Sequence, residues 1–69
     1  MVEVFKTNVL DVERSNLLVE RLLFHFPDNK INFDLQACDK ILRVEGENIL
    51  PGRIMELLNE EGHECEILD

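Results

Sequence analysis

Two leucine-rich stretches, each apolar along one side only, constrain this chain more than any other feature. In the first, Leu18, Val19, Leu22, Leu23 and Phe26 recur at helical spacing, with Glu13, Asn16 and Glu20 mainly opposite. In the second, Leu50, Ile54, Leu57 and Leu58 form the stripe. A helix with a single stripe must bury it against another element, and two such helices can cover one face of a sheet. The segments around them supply that sheet.

"VEVFKTNV", residues 2–9, is rich in β-branched and aromatic residues and predicts a first strand. Asp11 follows as a helix cap, its carboxylate placed to accept a free amide of the first turn, and Glu13 sits at the positive helix end. The helix is expected over about 12–26, stopped by Pro27 in the turn "PDNK". "INFDLQ", residues 31–36, alternates: Ile31, Phe33 and Leu35 to one side, Asn32, Asp34 and Gln36 to the other. "ACDK" predicts a hairpin turn, and "ILRVEG", residues 41–46, a third strand with Leu42 and Val44 inward and Arg43 outward. Asn48 is the expected cap of the second helix, with Pro51 in its first turn and Gly62 as its left-handed stop. "HECEIL", residues 63–68, predicts a fourth strand with His63, Cys65 and Ile67 on one face.

The order is βαββαβ. The expected fold is therefore α+β, a ferredoxin-like sandwich with a four-stranded antiparallel sheet and two helices on one face. Sixty-nine residues make one domain, 1–69. The other sheet face is left for solvent or a partner.

Charge narrows the partners. A formal net charge of −8 would repel phosphates, so no nucleic acid is expected. Residues 1–30 carry five acids against four bases, and residues 31–69 carry ten against three. Glu60, Glu61, Glu64, Glu66 and Asp69 crowd the last ten residues. Such a patch is either a docking site for a basic partner or a solvated face. No apolar run approaches the roughly 18 residues of a membrane span, and none reads as an export signal, so a cytoplasmic protein with reduced thiols is expected.

Three segments, in this order and spacing, carry a family resemblance: "FKTN" (5–8), "DKILRVEG" (39–46) and "IMELLNEEGHECEIL" (54–68). Together the chain resembles the heavy-metal-associated domains, the ferredoxin-like modules of copper chaperones and metal-pumping ATPases. The resemblance implies a metal loop at the first strand-to-helix junction, with Cys-x-x-Cys thiolates gripping Cu(I) or Zn(II). Here the two positions fall on Asp11 and Arg14, or on Val12 and Ser15, and neither choice gives a thiol. Arg14 would put a positive charge where the cation should sit.

The resemblance also places His63, after Gly62, in the loop beside the metal loop. It could pair with Asp11 in an atypical site for a transition-metal ion such as copper or zinc, though zinc usually takes three or four protein ligands. His25 is read instead as a complement to the first helix's dipole. Cys38 and Cys65 would lie on opposite edges of a 4-1-3-2 sheet, about 14 Å apart, too far for a disulfide.

No phosphate-cradling glycine loop and no nucleophile elbow is present, so no enzyme and no cofactor are expected. The expected function is a non-enzymatic interaction module. Its open sheet face, with Asp34 and Arg43, would meet a protein partner or a second copy. The directions of Val2 and Val4 are open; if outward, they add an apolar patch there. Glu60, Glu64 and Glu66 form the second candidate surface. The alternative is a metal carrier using Asp11 and His63.

Overall fold

The computed structural model describes residues 1–36 and 38–68. Its elements run β1 (Val2–Thr7), α1 (Val12–His25), β2 (Lys30–Asp34), β3 (Lys40–Glu45), α2 (Pro51–Glu60) and β4 (Cys65–Ile67). The four strands form one antiparallel sheet in the order β2-β3-β1-β4. This is the ferredoxin-like βαββαβ arrangement, with both helices over one face.

Register follows from burial. Phe5 and Thr7 of β1, Ile31 of β2 and Leu42 and Val44 of β3 are buried beneath the helices. They meet Leu18 and Leu22 of α1 and Ile54 and Leu58 of α2. A one-residue slip would send each strand's apolar set to the opposite face, so the core pins the pairing. Val2, Val4 and Lys6 alternate with the buried residues of β1 and therefore face away from the helices, Val2 being 47% exposed. That answers the open question about the two valines.

Several boundaries differ from the sequence reading. β1 stops at Thr7 because the Thr7 hydroxyl donates to Lys40 O (2.7 Å) and accepts from Val9 N (3.3 Å), turning the chain. Val9 is then buried as a plug, not as a strand residue. α1 ends at His25, and the Phe26 amide closes the last turn on Leu22 O at 2.8 Å. β2 begins at Lys30 and ends at Asp34, whose carboxylate accepts from Gln36 N (3.1 Å) and bends the chain out of the strand. The predicted turn "ACDK" falls partly outside the described residues, at Ala37; Lys40 already belongs to β3.

The start of α2 corrects two expectations. Its cap position is Leu50, which has no side-chain cap hydrogen bond, so Asn48 does not cap it. Pro51, in the first turn as expected, sets the entry with its fixed φ. With the chain entering this way, Leu50 is 53% exposed and Ile49 takes the buried place. The buried stripe of α2 is Ile54 and Leu58, with Met55 and Leu57 half-buried against it. β4 is also shorter than expected: His63 and Glu64 precede it, and Ile67 lies at the sheet margin, 41% exposed.

Gly62 ends α2 at φ +86°, as expected of a left-handed stop. His63 N donates to Leu58 O (2.9 Å) and Gly62 N to Asn59 O (3.0 Å), the paired bonds of a Schellman motif. That motif fixes the backbone of His63 and so aims its side chain. Among the described residues no helix is long and apolar enough to cross a membrane.

Candidate functional site

The β1–α1 junction is built from the loop Asn8–Asp11, the first turn of α1 and the turn after α2. Asp11 caps α1 as its spacing predicts: Oδ1 accepts from Arg14 N at 2.7 Å. This anchors the turn that carries Arg14, and the helix projects the Arg14 side chain toward the end of α2.

There the guanidinium is held on three sides. Arg14 Nε donates to His63 Nε2 (2.9 Å), and Nη2 donates to Glu61 O (2.8 Å) while lying 3.6 Å from the Glu61 carboxylate. Glu61 in turn takes Arg21 at 2.7 Å. The two acids before Gly62 stand at the negative end of a helix, which is unfavourable by itself. For Glu61 the two arginines of α1 offset that.

The His63 ring is fixed by the same contacts. Nε2 faces the arginine as acceptor, and Nδ1, the other ring nitrogen, lies 3.3 Å from Asn8 Oδ1. Asn8 Oδ1 also accepts from Glu64 N at 2.9 Å, tying the loop after β1 to the approach of β4. Asn8, His63, Arg14, Glu61 and Arg21 thus form one chain of contacts closing the junction.

The structure places Asp11 and His63 at the same end of the molecule but joins neither to the other by hydrogen bond or ion pair; each is engaged by a different part of Arg14. Among the described residues no group of three or more His, Cys, Asp or Glu side chains gathers around a point that could hold a metal ion. Both cysteines are free, Cys38 exposed and Cys65 half-buried on β4 opposite Thr7. Burial, and secondarily the charge of Glu66, pushes the Cys65 thiol up to about 12. At neutral pH it is a protonated packing group.

The open sheet face brings together Val4, Arg43 and Asn32 across three strands, and Lys6, Ile41 and Asp34 in the next row. Arg43 also pairs with Glu45 at 2.9 Å. Val2, Val4, Asp34 and Arg43 therefore share one surface, half apolar and half charged. The three glutamates do not. Glu66 joins that face opposite Lys6, Glu64 lies at the approach to β4, and Glu60 lines a groove of about 280 Å³ between the helices with Leu18, Arg21 and Leu57.

Sequence reasoning missed Ile41, Asn8 and Glu61. Ile41 was within reach: once Leu42 and Val44 point inward, strand alternation turns Ile41 outward beside Val4. Asn8 and Glu61 act through contacts spanning 55 and 47 positions, for which no local pattern exists. The chain matches no protein-family model, no curated protein and no solved structure.

Proposed function

We propose that the chain is a non-enzymatic interaction module: a heavy-metal-associated-like domain whose first junction is filled by its own arginine and whose open sheet face meets a protein partner. The observation that carries the reading is the seat of Arg14. Its guanidinium, a charge that proteins do not deprotonate, occupies the His63 nitrogen a metal would need. The rival reading, a copper or zinc carrier using Asp11 and His63, requires His63 to release Arg14. It also leaves the ion one or two ligands short of a usual zinc site unless a partner supplies them.

The recognition surface is the sheet face of Val2, Val4, Ile41, Asp34 and Arg43. Its apolar centre favours burial, and its mixed charges select the partner. Two free thiols suit a reducing, cytoplasmic setting, and the net charge of −8 disfavours nucleic acid.

Cross-linking in cells of origin tests the surface. Proteins captured by the wild-type chain should be lost from Val4→Glu and Arg43→Glu, and kept by Glu60→Gln, which lies off the sheet face. Capture that survives both face variants would remove the sheet face from the reading.

A further inference from the structure

We infer that β2 is a self-pairing edge, through which two copies of this chain join into a continuous eight-stranded sheet. This edge adjoins the open face proposed above and shares Asp34 with it; Val4→Glu disturbs only the open face, so failure of one reading can be told from failure of the other.

The ladder shows what β2 leaves unpaired. Gly46 N donates to Met1 O (3.0 Å), so the opposed residues Met1 and Gly46 form a hydrogen-bonded pair between β1 and β3. Such pairs alternate along an antiparallel ladder. Val44 and Leu42 therefore bond toward β1, leaving Glu45, Arg43 and Ile41 to bond their β2 partners Lys30, Asn32 and Asp34. By the same alternation Ile31 and Phe33 aim their N–H and C=O groups outward, at the rim of the sheet, where β2 has no neighbouring strand among the described residues. An edge of this kind is a template for another strand.

The wall above it is uncharged and partly apolar. A groove of about 300 Å³ runs between Val12, Asn16 and Val19 of α1 and Ile31, Phe33 and Leu35 on the strand side. Val12, Asn16, Val19 and Leu23 recur at spacings of four, three and four, the seam of a helix meeting a second helix. Val12 is 64% exposed and Leu23 36%. A second copy fits both features at once, because its own α1 accompanies its own β2.

The charges of β2 select that occupant. Two antiparallel copies paired about Asn32 set Ile31 against Phe33 of the second copy, as a hydrogen-bonded pair. Lys30 then faces Asp34 of the second copy, twice over by symmetry. Both side chains are exposed, and neither is in an ion pair among the described residues. The opposite edge does not have this property: β4 is three residues long and carries Glu66, with Glu64 just before it and no base.

Sedimentation equilibrium on the whole chain tests the pairing. Between roughly 10 µM and 1 mM, the range of weak small interfaces, the mean mass should climb from one chain toward two. Asn32→Asp, which opposes two like charges at the symmetry axis, should weaken association about tenfold. Asp34→Lys alone and Lys30→Glu alone should each weaken it similarly, while an equimolar mixture of the two should recover it. Val4→Glu, on the open face, should leave it unchanged, and circular dichroism should show every variant folded. A wild-type chain that stays monomeric at 1 mM would overturn the inference. So would a dimer indifferent to Asn32→Asp, or a mixture no more associated than its components.

Discussion

The two ends of the sandwich are closed by different physics. At the junction end, the loop after β1 is tied down by polar side chains reaching across the chain: Asp11 to the Arg14 amide, Arg14 to His63 and Glu61, His63 and the Glu64 amide to Asn8. At the opposite end, the turn after α1 meets the turn after β3 by close packing. A methyl at Gly46 would stand 2.1 Å from Asn29 Oδ1, and Asn29 is buried. Packing tolerates no addition, whereas a partly solvated network tolerates removal in parts. The junction end is thus the more open to change of sequence.

Gly46→Ala should break the packed end hardest. The asparagine must move from a buried seat, and overpacking of this kind costs about 1–3 kcal/mol, measurable by urea denaturation. Gly46→Ala combined with Asn29→Ala should lose less than the sum of the two single changes, since the clashing atoms are gone.

The junction should give way in smaller steps. Asp11→Ala removes a helix cap and should cost about 1 kcal/mol. Arg14→Ala breaks partly exposed contacts that water can replace, so a loss of no more than about 1 kcal/mol is expected in the same denaturation assay. NMR should then show the His63 ring signals shifted by loss of the Arg14 contact.

Cys65, at the junction end of β4, adds a pH dependence of known sign. Its thiol is pushed up from 9.0 to about 12, so burying it neutral stabilises the fold fully below pH 9. That contribution should fade as pH rises from about 9 toward 12, and Cys65→Ser should remove that part of the alkaline loss. The smallest effect belongs to the exposed pair Lys6–Asp39, 3.7 Å apart, where Lys6→Ala should change stability by less than about 0.5 kcal/mol.

The sequence reveals the fold because that information is local. Alternation of Ile31 and Phe33, the Leu18 and Leu22 core of the α1 stripe, the Asp11 cap and the Gly62 stop each act within a few residues and appear where expected, whereas Leu23 of that stripe is exposed and Leu35 lies beyond the strand. Asn48 misleads because a good capping residue competes with Pro51, whose ring sets the helix start two residues later than an Asn48 cap would. Leu50 misleads for the same reason: moving the helix entry rotates it outward and Ile49 inward. Of the candidate site, the absence of thiols at the junction and the charge of Arg14 are legible. Where that charge settles is not, because Glu61 and His63 reach it only through the Schellman turn and the packing of α1 beside α2.

The claim on which the functional reading rests is that Arg14 fills the place of a cation. Native mass spectrometry of the intact chain, reduced and offered Cu(I) or Zn(II) in turn, tests it most directly. The account predicts the bare chain in each case, for wild type and His63→Ala alike. One retained ion per chain that disappears in His63→Ala would contradict it.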